Sequence, residues 1–197
     1  MFTGIIQQKA MITNILSEQE ILTLEIKLNK KIKDIKIGDS ISINGVCLTV
    51  ANIKNNKLLF NLVPETIKKT NLSLLSIGQE VNLETALCFG DPVNGHIVQG
   101  HIDSTCTVLL IKSHKYYKII YFSLPEITKN LLVPKGSVAL DGVSLTIAEM
   151  TKESFSIAYI PHTLIETISQ DYKINQQVNL EIDILAKQLK QLTKVYL

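Results

Sequence analysis

The sequence Asn44-Gly45-Val46-Cys47-Leu48-Thr49-Val50 occurs in two closely similar copies in the chain. It returns 97 residues later as Asp141-Gly142-Val143-Ser144-Leu145-Thr146-Ile147, and the run Val-Asn-Leu-Glu at 81–84 returns at 178–181 after the same interval. A constant interval across turn and strand positions indicates two copies of one small domain, not a solenoid of short repeats. We expect that whatever one copy binds, the other can bind as well.

Each copy shows the pattern of short antiparallel strands. Residues 22–28 alternate apolar with polar side chains, which is the period of a half-buried strand. Asn44-Gly45 is a strong signal for a two-residue hairpin, and Asp141-Gly142 repeats it. About six strands per copy, with one or two helical turns after Pro64 and Pro161, favour a closed six-stranded Greek-key barrel, because closure removes exposed edges. An open sandwich is the alternative.

The predicted fold class is therefore all-β, with two tandem barrels and a C-terminal helix. Residues 88–95 are rich in Gly, Pro, Asn and Asp and are typical of a linker. The predicted domains are 1–96, 97–184 and a helix over 185–197. The apolar residues of this C-terminal helix follow helical spacing and are Leu185, Leu189, Leu192 and Tyr196. That stripe packs either on its own barrel or on other copies of the chain, and the pattern favours neither.

Composition excludes several classes of protein. Twenty basic and 18 acidic residues give a net charge of +2, too small an imbalance to indicate a nucleic-acid surface. Three cysteines without a CxxC pair argue against a disulfide framework and predict a reduced, cytoplasmic location. The chain shows no export signal and no apolar run of about 18 residues, so we expect a soluble protein.

The usual cofactor and metal motifs are missing from the sequence. It contains no GxGxxG, GxxxxGK[ST] or HExxH and no Cys/His cluster at metal spacing. His96 and His101 lie five residues apart, which fits neither a helical nor a same-face strand pair of ligands. No cofactor or metal is therefore predicted.

Small polar residues at matching positions of the two copies remain as candidates for a binding site. They are Cys47, Thr49, Asn61 and Thr66 in the first copy and Ser144, Thr146, Ala158 and Thr163 in the second. With strand amides, such groups can line a flat heterocycle and bind a polyol chain. The alternative is that Cys47 is a small buried hydrophobe and the threonines are ordinary strand formers.

Several motifs follow one another over nearly the whole chain. They are Met1-Phe2-Thr3-Gly4-Ile5, the two repeated stretches around Cys47 and Ser144, Pro64-Glu65-Thr66, residues 95–102 (GHIVQGHI) and residues 179–183 (NLEID). Together they resemble the riboflavin synthase α chain family. The resemblance implies two six-stranded barrels and a trimer assembled by the C-terminal helix. It also implies a dismutation without cofactor or metal. One 6,7-dimethyl-8-ribityllumazine gives a four-carbon unit to another, which yields riboflavin and 5-amino-6-ribitylaminouracil.

The resemblance also implies where two lumazines bind, one in each barrel, with barrel 1 of one chain facing barrel 2 of a neighbour. The N-terminal pocket is expected to use Gly4, Ile5, Ile6, Cys47, Leu48, Thr49, Asn61, Leu62, Val63, Pro64, Glu65 and Thr66. The C-terminal pocket is expected to use Gly100, His101, Ile102, Lys135, Ser144, Leu145, Thr146, Ala158, Tyr159, Ile160, Pro161, His162 and Thr163. His162 departs from the family, which usually has Glu there, as at Glu65.

Five residues receive chemical roles as hypotheses. His101 assists proton transfer, since the reaction begins with loss of a proton from the C7 methyl group of one lumazine. Ser144 or Cys47 contacts or adds to the other ring. Phe2, with Thr3, closes over the site, and Asp183 orients a partner across the subunit interface. The alternative for His101 is a hydrogen-bonded interface histidine without a chemical role.

Two other functions compete with the synthase. A non-catalytic lumazine- or flavin-binding carrier would bind without turnover, and its second pocket would be expected to degenerate. A generic β-barrel interaction module would bind no such ligand. Ser144, Thr146, His101 and Lys135 all persist in the second copy, which favours the enzyme. Whether lumazine synthase is a physical partner is left open by the sequence.

Overall fold

The computed structural model describes residues 1–196 and contains two closed antiparallel barrels of six strands each. Both barrels confirm the predicted fold and rule out the open sandwich. The strands of barrel 1 are β1 (Gln8–Glu18), β2 (Ile21–Leu28), β3 (Ser40–Ile43), β4 (Val46–Lys54), β5 (Lys57–Leu62) and β6 (Glu80–Thr85). Those of barrel 2 are β7 (Ser104–Ser113), β8 (Lys118–Ser123), β9 (Ser137–Leu140), β10 (Val143–Met150), β11 (Ser154–Tyr159) and β12 (Gln177–Ile182).

The two barrels share one strand order. Around barrel 1 it is β1-β2-β5-β4-β3-β6, and β6 pairs back to β1. Barrel 2 repeats the order with β7-β8-β11-β10-β9-β12. Short helices α1 (Pro64–Lys69) and α2 (Pro161–Glu166) follow the fifth strand of each barrel, and each leads into a 3₁₀ turn. Proline at the first helical position is favourable because its missing N–H has no partner there.

Alternation along the strands builds the two cores. In β2, Leu24 and Ile26 are fully buried while Thr23 and Glu25 face outward, as expected of a sheet closed around its own side chains. Each barrel has its own cluster of buried apolar residues. A third, small cluster of Phe2, Val98 and Ala139 lies where the barrels meet.

Asn82 and Asn179, 97 residues apart, join the barrels through matching hydrogen bonds. The Asn82 side chain donates to the Asp141 carbonyl (2.9 Å), and that of Asn179 donates to the Asn44 carbonyl (2.8 Å). Both asparagines are fully buried, and buried amides with partners fix a junction because leaving them unpaired is costly. The two hairpin turns therefore meet at a pseudo-twofold axis.

The junction departs from this symmetry at Asp141, where the first copy has Asn44. One Asp141 carboxylate oxygen accepts from Asn71 Nδ2 (2.9 Å) and the other from the Tyr172 hydroxyl (2.8 Å). Burial raises the pKa of Asp141 to about 7, against the lowering effect of these hydrogen bonds. Leu75 stands where the second copy has Tyr172, so the first copy lacks this network.

Helix α3 (Ile184–Tyr196) lies against barrel 2 through only part of its surface. Ala186 packs on the barrel core, and Lys187 pairs with Asp103 at 2.7 Å. Leu185, Leu189 and Leu192 remain 55–63% exposed, so the apolar stripe does not pack on its own barrel. Tyr196 was predicted to belong to this apolar stripe, but its side chain lies outside the described part of the chain. Leu197 lies outside it altogether. Among residues 1–196, no helix combines the length and apolar character that a membrane span needs.

Candidate active site

The N-terminal segment, residues 1–6, is held by barrel 1 but lies against barrel 2. Both the backbone N–H and the hydroxyl of Thr3 donate to the buried Glu84 carboxylate at 2.7 Å, and Gly4 N donates to it at 3.0 Å. The Gly4 carbonyl in turn accepts from Ser144 N at 2.8 Å. Gly4 has φ +76°, and a Cβ there would lie 2.6 Å from Ser144 Cβ, so only glycine permits this approach.

A second segment, residues 97–102, is held by barrel 2 and lies against barrel 1, so the roles of the two barrels are reversed. The Glu181 carboxylate of barrel 2 accepts from the backbone N–H groups of Gln99 (2.6 Å), Gly100 (2.9 Å) and His101 (3.1 Å). The Gly100 carbonyl accepts from Cys47 N of barrel 1 at 2.9 Å. Gly100 has φ +82°, and a Cβ there would meet Cys47 Cβ at 2.5 Å. We call residues 1–6 and 97–102 the exchanged segments.

This exchange corrects the predicted composition of the two pockets. Gly4 belongs beside Ser144 in barrel 2, and Gly100 belongs beside Cys47 in barrel 1. Ile102 likewise packs on the core of barrel 1. The sequence gives no local sign of this, because each segment is adjacent in the chain to the barrel that it leaves. Each candidate half-site therefore combines strand residues of one barrel with the segment that precedes the other.

Burial raises the pKa of both Glu84 and Glu181, while the backbone hydrogen bonds that they accept oppose the shift. The two carboxylates are at most 3% exposed. Each accepts from two or three N–H groups of an exchanged segment, and bonds of this kind to a carboxylate are stronger than those between neutral groups. Glu84 and Glu181 are thus positioning residues for the half-sites. They lie in the repeated Val-Asn-Leu-Glu run, but nothing in that run alone indicates the role.

His96 forms a short side-chain contact with Ser144, and the sequence did not predict this. Its Nδ1 lies 2.7 Å from Ser144 Oγ, with donor and acceptor set by the tautomer. Burial lowers the pKa of His96, against the opposing charge of Asp183, and this favours the neutral ring that can accept a proton. Gly95 permits the approach, since a Cβ there would lie 2.1 Å from the Thr3 carbonyl oxygen.

The five residues with predicted chemical roles occupy different positions. Ser144 and Cys47 are half-buried beside the exchanged segments. His101 is exposed, and its ring makes no hydrogen bond within residues 1–196. Asp183 caps α3 by accepting from Leu185 N at 2.9 Å, so its predicted role across an interface remains a prediction.

Phe2 and Thr3 are buried within the chain, and their predicted role of closing over the site remains a prediction. Phe2 is 1% exposed and exchanges backbone hydrogen bonds with Val98, at 2.7 and 3.1 Å. Its ring packs with Val98 and Ala139 in the small cluster between the barrels. Phe2 therefore pins the two exchanged segments together.

The remaining pocket residues divide into exposed and buried ones. The side chains of Leu48, Leu62 and Tyr159 fill the barrel cores, so these residues can reach a ligand only through their backbone groups, and their place in the pockets remains a prediction. Six others are exposed at matching places, namely Thr49, Asn61 and Val63 in barrel 1 and Thr146, Ala158 and Ile160 in barrel 2. Ile5, Pro64, Glu65, Pro161 and His162 are exposed too, whereas Ile6, Thr66, Leu145 and Thr163 are half-buried. Both half-sites are thus open on one side of the single chain.

Lys135 has an unusual backbone at the rim of the second half-site. Its φ is +67°, a left-handed conformation that costs a residue with a Cβ about 1 to 2 kcal/mol. The first copy has Gly38 at the matching place, with φ +95°. The Lys135 side chain is exposed, and its part in the second pocket remains a prediction.

Comparison with known proteins also finds two copies of one domain in this chain. A family model described as "Lumazine binding domain" matches residues 3–86 and again 99–183. The chain is 40% identical over 190 residues to "Riboflavin synthase" of Bacillus subtilis (strain 168), covering 95% of this chain and 87% of the relative. The chain belongs to the riboflavin synthase family. A riboflavin synthase of Photobacterium leiognathi is 40% identical over 196 residues, covering 99% of this chain and 90% of that one.

Solved structures share the fold of this riboflavin synthase family member. LumP complexed with riboflavin superposes with a TM-score of 0.87 at 25% identity, covering 92% of this chain and 99% of LumP. LumP complexed with flavin mononucleotide gives 0.84 at 25% identity over the same shares. A protein of this two-barrel architecture has therefore been seen in complex with flavins.

Proposed function

We propose that this chain is a riboflavin synthase that dismutates two molecules of 6,7-dimethyl-8-ribityllumazine. One substrate gives up a four-carbon unit and leaves as 5-amino-6-ribitylaminouracil, and the other becomes riboflavin. The observation that carries the proposal is the pair of equivalent half-sites, each built from a strand stretch and an exchanged segment. Identity of 40% to the Bacillus subtilis riboflavin synthase over 95% of the chain supports it.

The reaction depends more on two matched binding sites that orient the substrates than on strong catalytic groups. Two lumazines contain the same atoms as one riboflavin and one ribitylaminouracil, so the reaction balances without an oxidant or reductant. We therefore place it among the transferases that work without a cofactor. Holding two dilute substrates face to face is worth about 7 to 11 kcal/mol of barrier.

Ser144 and His96 supply the polar chemistry of the second half-site in this proposal. A neutral His96 accepts the proton of the Ser144 hydroxyl, or of a water that replaces it, as oxygen approaches C7 of one lumazine. The 2.7 Å contact between Nδ1 and Oγ and the lowered pKa of His96 support this role. Cys47 holds the matching position in the first half-site and contacts the other ring.

We place the complete site between two copies of the chain. Each half-site is open within one chain, and its exposed residues have no cover from the opposite barrel. The leucines of α3 are exposed as well, which supports a homotrimer held by this helix. Barrel 1 of one subunit then faces barrel 2 of the next.

The assembly is tested by removing the leucine stripe of α3. Leu189→Ser with Leu192→Ser should shift the protein to smaller oligomers in sedimentation velocity and lower its activity, because the stripe loses its apolar contact. Gln188→Ser with Gln191→Ser, at neighbouring exposed positions of the helix, is the matched control. A fully active trimer with both leucines replaced would refute the role of α3.

Turnover separates the synthase from a lumazine-binding carrier. Purified chain incubated with 6,7-dimethyl-8-ribityllumazine should release riboflavin and ribitylaminouracil in equal amounts, followed by absorbance and chromatography. Binding of the lumazine without any riboflavin would make the chain a carrier and overturn the proposal.

A further inference from the structure

The hairpin between β1 and β2 ends in a slender acidic tip, defined here as residues 16–21. Its turn has two residues, with Gln19 at φ 54°. Cross-strand pairing of Glu18 with Ile21, and of Leu16 with Thr23, places these side chains on one outward face. Leu16 and Ile21 are 49% and 44% exposed. Within residues 1–196, no salt bridge involves either acidic residue of the tip.

The equivalent hairpin of barrel 2, between β7 and β8, ends in a basic and aromatic tip, defined as residues 112–118. Its broader loop is closed by the His114 N–H, which donates to the Tyr117 carbonyl at 2.9 Å, and the two rings stack at 4.3 Å. Lys115 Nζ lies 5.0 Å from the centre of the Tyr116 ring. The same hairpin thus carries opposite charge in the two copies.

A cleft of about 350 Å³ lies between the basic tip and α2. Its apolar wall is formed by Pro161, Leu164 and Ile165, and Lys115 and Lys118 contribute positive charge. Ile165 is 61% exposed, and exposed apolar surface of this kind is typical of sites that bind a partner. The cleft therefore suits a narrow partner with apolar flanks and negative charge.

Both tips adjoin the candidate half-sites. The Thr23 hydroxyl, next to the acidic tip, donates to Asn61 Oδ1 of the first half-site at 3.1 Å. In barrel 2, Lys118 of the basic tip pairs across the sheet with Tyr159, immediately after Ala158 of the second half-site. A contact between the two tips would thus lie at the rim of a site shared by two barrels.

We propose that the acidic tip of one copy docks into the cleft beside the basic tip of a second copy. Leu16 and Ile21 pack on the apolar wall, and Glu18 and Glu20 lie near Lys115 and Lys118. This rests on the proposed function in that it brings barrel 1 of one subunit opposite barrel 2 of another. Opposite charges favour this pairing over the contact of two like tips, which would repel.

Cross-linking between labelled copies tests the docking. Full-length chains with and without ¹⁵N are refolded together and treated with a zero-length reagent that joins carboxylates to amines. We expect peptides of mixed label that join the acidic tip to the basic tip. Failure to find them, while other cross-links of mixed label form, would overturn the proposal.

Charge reversal sharpens the same test. Glu18→Lys with Glu20→Lys removes both carboxylates of the acidic tip, so it is informative only in combination with the next variant. Lys112→Glu with Lys115→Glu leaves Lys118 as a reactive amine and should reduce the cross-links at least about fivefold. Combining all four changes should restore cross-links of reversed polarity. Lys30→Glu with Lys31→Glu, near the other end of β2, is the control and should leave them unchanged. An unrestored combined variant would contradict the docking.

Failure of the docking and failure of the function remain distinguishable. Cross-linking needs no substrate. An inactive chain that forms the expected cross-links would therefore overturn the proposed synthase activity and leave the docking intact. Riboflavin formation without these cross-links would overturn the docking and support the synthase activity.

Discussion

At the scale of single residues, the contact between Ser144 and His96 carries the chemical proposal. Ser144→Ala removes the oxygen that lies 2.7 Å from His96 Nδ1. We expect turnover to fall about 100-fold with an unchanged melting temperature, as is typical for loss of a group that takes part in proton transfer. Ser73→Ala, at an exposed position of the 3₁₀ turn that follows α1, is the control. Single-turnover rates measure the effect, and an unchanged rate would remove Ser144 from the chemistry.

Gly4 tests the exchanged segments at the same scale. Gly4→Ala adds a Cβ 2.6 Å from Ser144 Cβ and 2.7 Å from its backbone nitrogen. Gly78 also has positive φ, but nothing lies within 4 Å of its added Cβ, so Gly78→Ala measures backbone strain alone. We expect Gly4→Ala to lose at least about 2 kcal/mol more unfolding free energy than Gly78→Ala. Equal losses in urea titration would contradict the close approach.

The roles of His96 and His101 could not be assigned from the sequence alone. The sequence favoured His101 for proton transfer, but the structure pairs His96 with Ser144, 48 residues away. That pair exists only because residues 1–4 cross to barrel 2 and bring Thr3 and Gly95 together. A contact that depends on such a crossing leaves no periodic signal in the sequence, whereas the hairpin at Asn44-Gly45 does.

At the scale of elements, Asp141 makes the junction between the barrels sensitive to pH. Its pKa is raised from 3.8 to about 7 in the folded chain. Between these two values the folded state keeps a proton that the unfolded state has released, so stability falls as pH rises through this window. Glu84 and Glu181, whose pKa values burial also raises, add to the fall.

Asp141→Asn should flatten this dependence, since an amide does not titrate. Its oxygen can still accept from Asn71 and Asn179, and its Nδ2 can donate to Tyr172, as the bond lengths of 2.8 to 2.9 Å allow. Asn44 already fills the matching place in the first copy. Urea unfolding at pH 4.5 and pH 7 should show a clearly smaller difference in the variant than in the parent chain. An equal difference would contradict a buried, protonated Asp141.

The elements themselves were largely predictable. The repeat, the turns at Asn44-Gly45 and Asp141-Gly142 and the alternation in residues 22–28 indicated barrel strands, and the structure confirms them. The exchange of segments was not predictable, because Glu84 and Glu181 read locally as strand residues. Their function depends on which backbone N–H groups come near them after the barrels have docked.

At the scale of the whole molecule, we predict that no single chain contains a complete site. The two half-sites are related by the duplication and are open in the same way. Thr49 and Thr146 occupy equivalent exposed places, one in each half-site. Replacing either threonine by a long cation should block one half-site and leave its counterpart intact, which makes them a matched pair of probes.

Complementation between these two variants tests whether the active site is shared between chains. Thr49→Arg and Thr146→Arg chains should each form almost no riboflavin alone. Refolded together as mixed oligomers, they should recover up to about a quarter of the parent rate, because a random quarter of subunit contacts joins two intact half-sites. A mixture that stays as inactive as its components would contradict a site shared between chains.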